Sequence, residues 1–234
     1  MSLKSIQIGN IIDITGELAN QMWGYHILPG SENLVPPVEI SSIATVDKNG
    51  FFSSKITLST ISGTYLEAGS HVLLHGNNID EYPVDRFVIP AKVIKLPRQI
   101  PRALINAELL QKYSPQINPG DALLIGTGWD ENWNDPGYVL DSPNMNREAM
   151  EWIISNRISL LGVDITCIVS PREDADLRNR GLLPDLFKSG ALLLAPLVHL
   201  DRIKGKQGTL ICLPMKVKGT SGAPVRAIFI ESLQ

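Results

Sequence analysis

Apolar and polar positions follow two rhythms along this chain. In the first half they alternate over short stretches, which predicts strands. Residues 6–14 hold two β-branched clusters around Gly9-Asn10, and residues 38–46 are β-branched and partly alternating. Asp47-Lys48-Asn49-Gly50 then reads as a hairpin turn, because Asn-Gly accepts positive φ at low cost. Residues 51–59 alternate as the returning strand should. Residues 87–96 predict a further strand, interrupted by Pro90.

The second half changes period. Residues 101–113 show helical spacing, with Leu104, Ala107, Leu109 and Leu110 near one face. Residues 146–156 predict the clearest helix. Asn144 or Asn146 can cap it, and Met150, Ile153 and Ile154 form its apolar side. Residues 183–188 read as a helix that stops at Ser189-Gly190. Strands are expected at 122–126, 159–165, 191–197, 209–217 and 225–230. Strand–helix–strand alternation after a strand-rich start indicates an α/β protein, and no shift in composition divides the chain, so residues 1–234 are expected to form one domain.

Composition narrows the function classes. The 234 residues suffice for a sizeable core, and 19% charged with 44% hydrophobic residues is ordinary for a globular chain. A net charge of −3 gives no basic footprint for nucleic acid, and the basic stretch at 204–206 reads as a solvated loop. Cys167 and Cys212 sit in apolar runs and read as buried reduced thiols, too few for a disulfide framework. No signal segment is recognisable, and the longest apolar run, 191–198, is far below spanning length. A cytoplasmic protein with no membrane partner is expected.

Histidines are scarce: His26, His71, His75 and His199. Glu67, His71 and His75 fall within nine residues, enough for metal ligands or a general base, and equally for hydrogen-bonding surface groups. Order along the chain is more informative. It runs Ser62-Gly63-Thr64-Tyr65, then His71, then Ile79-Asp80-Glu81-Tyr82-Pro83-Val84-Asp85-Arg86-Phe87. Later come Pro119-Gly120-Asp121 through Gly126-Thr127-Gly128-Trp129, Leu161-Gly162-Val163-Asp164, and Gly219-Thr220-Ser221-Gly222-Ala223-Pro224. Taken in order, these segments resemble the cyclase family of metal-dependent hydrolases, which includes bacterial kynurenine formamidases.

The resemblance implies a cyclase-like swivelling β/β/α fold with a central mixed sheet. It also implies a homodimer or homotetramer, and hydrolysis of an amide, formamide or lactam C–N bond with one or two divalent metals. The family signature H-x-G-T-H-x-D-x-P-x-H falls on residues 61–71. Gly63, Thr64 and His71 match it, His71 at the catalytic histidine. Glu67 replaces the metal-binding aspartate, Ile61 and Tyr65 replace the two metal-binding histidines, and Gly69 replaces the proline. Downstream, Leu183 falls near a further histidine position, Ala195 at a glutamate position, and His199 where asparagine is frequent. A hydrolytic metal needs several fixed donors, and isoleucine, leucine and alanine supply none.

No metal is therefore expected, with zinc or manganese only if Glu67, His71 and His199 form a remodelled site. Two functions stay open. One is a hydrolase using His71 as base with Glu67 beside it; the other is an inactive relative that binds a small molecule or a protein on the same scaffold. Tyr65, Trp23, Trp129 and His199 are expected to line the pocket; for Trp23 and Trp129 the resemblance implies it, since their segments line the pocket in the family. The stretch 128–138 reads as a long loop able to cover it.

Overall fold

The computed structural model describes residues 9–172 and 177–232. In chain order the strands are β1 (Ile11–Asp13), β2 (Glu39–Ala44), β3 (Ser53–Thr57), β4 (Tyr65–Glu67), β5 (Val88–Lys95), β6 (Leu104–Ile105) and β7 (Ala122–Gly126). They continue with β8 (Asn144–Met145), β9 (Leu160–Val163), β10 (Leu192–Ala195), β11 (Gln207–Ile211), β12 (Gly222–Pro224) and β13 (Ile228–Glu231). The helices are α1 (Val46–Asn49), α2 (Ala107–Tyr113), α3 (Arg147–Ser155) and α4 (Leu182–Lys188).

Nine strands form one mixed sheet in the order β1-β13-β11-β5-β7-β9-β10-β4-β12. The central set β5-β7-β9-β10 is parallel. Antiparallel strands flank it on both sides. Chain connectivity forces this sheet to curl. β12 and β13 stand seven strand positions apart, which in a flat sheet is about 34 Å. Only residues 225–227 join them, a reach of about 14 Å counted between the flanking Cα atoms. The seam is stitched by Ile14 N donating to Ala227 O, Val225 N to Thr64 O, and Val198 N to Ile14 O.

Side-chain alternation sorts the apolar residues into two cores. Leu66, Leu124, Leu160, Leu192, Leu194 and Phe229 join one that the sheet itself encloses. Tyr65, Leu123, Leu161, Leu193 and Ala195 face the other, which α2, α3 and α4 cover with Leu110, Met150, Ile153, Leu186 and Phe187. Glu67 lies two residues beyond Tyr65 on the same face of β4.

Several elements differ from the sequence reading for local reasons. Residues 6–8 of the first expected strand lie outside the described residues. The expected turn after β2 is a single helical turn, α1, closed by Gly50 at φ 77°. Pro90 does not interrupt β5, because the ladder with β7 starts only at Ala91. The helix expected from residue 101 begins at 107: Asn106 accepts from Leu109 N at 2.8 Å, and Leu104 and Ile105 pair instead with Asn144 and Met145. Asn146 caps α3 through Ala149 N at 2.9 Å, as expected. The strand expected at 209–217 leaves the sheet after Ile211, and that expected at 225–230 is divided by the seam.

Asp164, just past β9, ties two strand ends together. Its buried carboxyl accepts from Thr127 N and Thr127 Oγ1, both at 2.7 Å, and from Gly128 N at 2.8 Å. Asp164→Ala would leave these donors buried without an acceptor. The expected loss of stability is about 3 kcal/mol or more, read as a lower urea midpoint at unchanged slope. A variant as stable as the parent would contradict this role.

Candidate active site

The residues at the signature positions come together. Ile61, Tyr65, Glu67 and His71 line a cavity of about 340 Å³, which Leu183 of α4 and Leu193 of β10 close from the other sides. Tyr25, Leu28, Ser31 and Val35 wall it from the segment before β2, and residues 166–169 from the loop after β9. β4 holds Glu67 in place by pairing it with Leu193 on one side and Gly222 on the other. The following loop carries His71. It folds tightly because Gly76 presses on Gly69 and Ser70; a Cβ there would meet Gly69 C at 2.3 Å.

Glu67 is 2% exposed. Its polar partner among the described residues is His71, whose Nδ1 lies 3.2 Å from Glu67 Oε1. Burial, with no countercharge, pushes the Glu67 carboxyl from 4.5 up to about 8. The same desolvation lowers His71, whose side chain is 32% exposed. At neutral pH the pair therefore holds one proton, with no net charge on the Glu67–His71 unit. Desolvation of both groups favours the neutral form of this close contact over an ion pair.

Above the pair sits a short hydroxyl chain. Tyr25 donates to Thr166 O at 2.7 Å, and the two tyrosine hydroxyls are 3.1 Å apart, so Tyr65 donates to Tyr25. Burial holds both hydroxyls well above the usual tyrosine range. Cys167 also lines the cavity, and burial pushes its thiol up to about 12. Neither the phenols nor the thiol ionise near neutral pH.

The other expected pocket residues go elsewhere. Trp23 packs edge-on against Tyr25 and Trp133, at 6.0 and 4.9 Å between ring centroids. Trp129 is buried in the helix-covered core, with its indole N–H donating to Tyr138 O. His199 lies in a separate polar pocket with Thr15, Glu17, Asp130 and Asp201; its backbone N donates to Asp130 Oδ2, and its φ of 60° turns the chain away from β10. His75 lines a third depression, so the four histidines do not converge. The stretch 128–138 buries Trp129, Trp133 and Tyr138 and borders the His199 pocket, so it does not cover the main cavity. Tyr25 carries no sequence signal for this site, and Cys167 reads from sequence only as a buried reduced thiol. Cys167 stands three residues beyond the motif at Asp164, and that proximity was its available signal.

The family profile of the cyclases matches residues 12–168. The chain belongs to the cyclase family. This cyclase is 26% identical over 243 residues to an isatin hydrolase of Roseibium aggregatum, covering 93% of this chain and 90% of that one. It is 28% identical over 192 residues to a kynurenine formamidase of Salinibacter ruber, covering 80% and 83%. Among solved structures, isatin hydrolase A from Ralstonia solanacearum superposes with a TM-score of 0.86 at 23% identity, covering 95% and 92%. An isatin hydrolase bound to the product analogue thioisatinate gives 0.84 at 24% identity, covering 94% and 92%. The curled mixed sheet is thus the cyclase fold.

Among the described residues, no three His, Cys, Asp or Glu side chains are grouped so as to hold a metal ion, and no helix is long and apolar enough to cross a membrane.

Burial of Glu67 has a signed consequence. Its folded value lies above its unfolded one, so between about pH 4.5 and pH 8 the folded state binds more protons than the unfolded state. The Glu67 contribution is full at low pH and is lost as pH rises towards 8, by at most about 1.4 kcal/mol per pH unit. Glu67→Gln should therefore gain thermal stability relative to the parent as pH rises from 5 to 8. A constant difference across that range would contradict the buried, protonated carboxyl.

Proposed function

We propose that this cyclase hydrolyses an amide, formamide or lactam C–N bond of a small apolar substrate in the Glu67–His71 cavity, without the family's metal. The observation that carries the reading is the Glu67–His71 pair, 3.2 Å apart at the foot of a ligand-sized cavity. His71 is the general base. When Glu67 is ionised it accepts from His71 Nδ1–H, which leaves Nε2 free to take a proton from an attacking water. When Glu67 holds its proton, it donates to Nδ1 and the imidazole proton sits on Nε2, which blocks the base. Glu67 therefore sets the tautomer.

The metal-free part of the reading rests on donor chemistry. Ile61, Leu183 and Ala195 carry no donor atom, and the neutral Tyr65 hydroxyl is committed to Tyr25. One carboxyl and one imidazole do not make the several-donor site a hydrolytic zinc or manganese requires. The same apolar replacements favour a second reading, an inactive relative that binds a small molecule here.

Turnover of formyl-arylamides or aryl lactams separates the two. A hydrolase should work after exhaustive chelation, and His71→Ala should lower kcat/KM about 100-fold or more. Activity should rise about tenfold per pH unit below pH 8 and level off above it, following Glu67. Stoichiometric zinc or manganese in the purified protein would overturn the metal-free reading. Binding without turnover would favour the inactive relative.

The homodimer or homotetramer expectation is also kept as a proposal. It is supported by the β2–β3 hairpin, which pairs only with itself and exposes Ile43, Phe51, Phe52 and Ile56 by 58–67%. A lone hairpin is marginal in water, and a second copy would cover this apolar patch. Light scattering should give a multiple of 25.7 kDa, reduced by Phe51→Asp with Phe52→Asp. A monomeric parent would refute it.

A further inference from the structure

The cavity has a charge imbalance that the hydrolase reading leaves unused. Among the described residues that line it there is no lysine or arginine. The walls are Leu28, Val35, Ile61, Ile168, Leu183 and Leu193, together with two tyrosine rings. Into this apolar space the chain places a carboxyl that is 2% exposed and whose charge partner among the described residues is the His71 imidazole. Buried carboxylates are ordinarily matched by a cation or by several donors. Asp164 in the same molecule shows the usual arrangement, with three donors on its two oxygens. Glu67 has no such cradle.

We infer that the cavity takes an apolar, ring-sized ligand bearing one basic nitrogen, whose ammonium pairs with the Glu67 carboxylate. The inference rests on the reading of this cavity as the ligand site and deepens it by naming the ligand's charge. A carboxylate-bearing ligand is disfavoured, since it would place a second anion beside Glu67 with no arginine or lysine among the described lining residues to balance it. Tyr25 and Tyr65 line the same cavity, and aromatic rings near a cation favour it.

Proton bookkeeping gives the pairing a signature. The groups that face Glu67 are Tyr65 on its own strand, His71 on the next loop, Tyr25 before β2, Cys167 after β9, Leu193 on β10 and Leu183 on α4. The thiol and both phenols stay neutral and burial lowers His71, so Glu67 is the cavity carboxyl whose raised value brings its ionisation near neutrality. Below its shifted value Glu67 holds a proton in the free protein. An ammonium ligand arrives already protonated, Glu67 ionises against it, and its proton leaves to solvent. About one proton is released per ligand bound. In the hydrolase, the same event puts His71 in the tautomer with Nε2 free, so an amine-bearing substrate would activate its own base.

Isothermal titration calorimetry of the full chain tests this with three probes of one shape: 2-phenylethylamine, 2-phenylethanol and 3-phenylpropanoate. Titrations are run at about pH 6.5 in two buffers of different ionisation heat. The amine should bind about tenfold or more tightly than the alcohol, the carboxylate most weakly, and the buffers should report about one proton released with the amine alone. Glu67→Gln should remove both the preference and the release. If that variant does not fold, the two-buffer comparison on the parent still decides. Equal binding of amine and alcohol, no binding of the amine, or amine binding without proton release would each overturn the inference. Failure of the hydrolase reading looks different: amine preference and proton release with no turnover of any amide leaves this inference standing. Turnover of neutral anilides without amine preference sinks it alone.

Discussion

Closure of the curled sheet is the constraint on which the rest of the structure depends. Three residues carry the chain from one margin of the sheet almost to the other, and Ile14, Thr64, Val198 and Ala227 hold that seam by backbone hydrogen bonds. Thr64 strengthens it, accepting from Gly16 N at 2.9 Å and donating to Pro196 O at 2.6 Å. The strand that begins at the next residue is β4. Its register between β10 and β12 therefore follows from the seam, and so does the face on which Glu67 stands. Thr64, which matches the family signature, serves this geometry whatever reaction the cavity performs.

The side chains around Glu67 and His71 are consistently apolar or neutral. Ile61 and Leu183 now pack against the helix-covered core, and Tyr65 turns its hydroxyl to Tyr25. A cavity that held a charged centre would need matched polar groups. This one is mostly apolar and holds one acid–imidazole pair, and desolvation favours the neutral form of that pair. Its neutrality is what allows a single carboxyl to remain buried without a cation.

Much of this was legible in the sequence, for identifiable reasons. The ordered motifs placed Ile61, Tyr65, Glu67, His71 and Leu183 in one site, and all five line one cavity. Asn146 marked the start of α3 because a side-chain oxygen is the cheapest partner for a free helix N–H. Other features depend on the direction a side chain takes in space. Trp23 and Trp129 interlock with or bond to Tyr25, Trp133 and Tyr138, and pattern alone does not distinguish a pocket wall from such a cluster. His199 is displaced by a left-handed backbone turn that a histidine does not announce. The end of β11 at Ile211 is set by the seam, a long-range closure with no local signature.

Asp164 has a consequence for where ligands can go. In sheets with parallel strands, the carboxyl ends of those strands commonly offer free backbone N–H groups to anionic ligands. Here the N–H groups of Thr127 and Gly128, at the end of β7, are both taken by Asp164. The protein fills that cradle with its own carboxyl. Phosphate and carboxylate groups find the place filled, and the cavity beside Glu67 lies elsewhere, on the helix-covered face of β4 and β10.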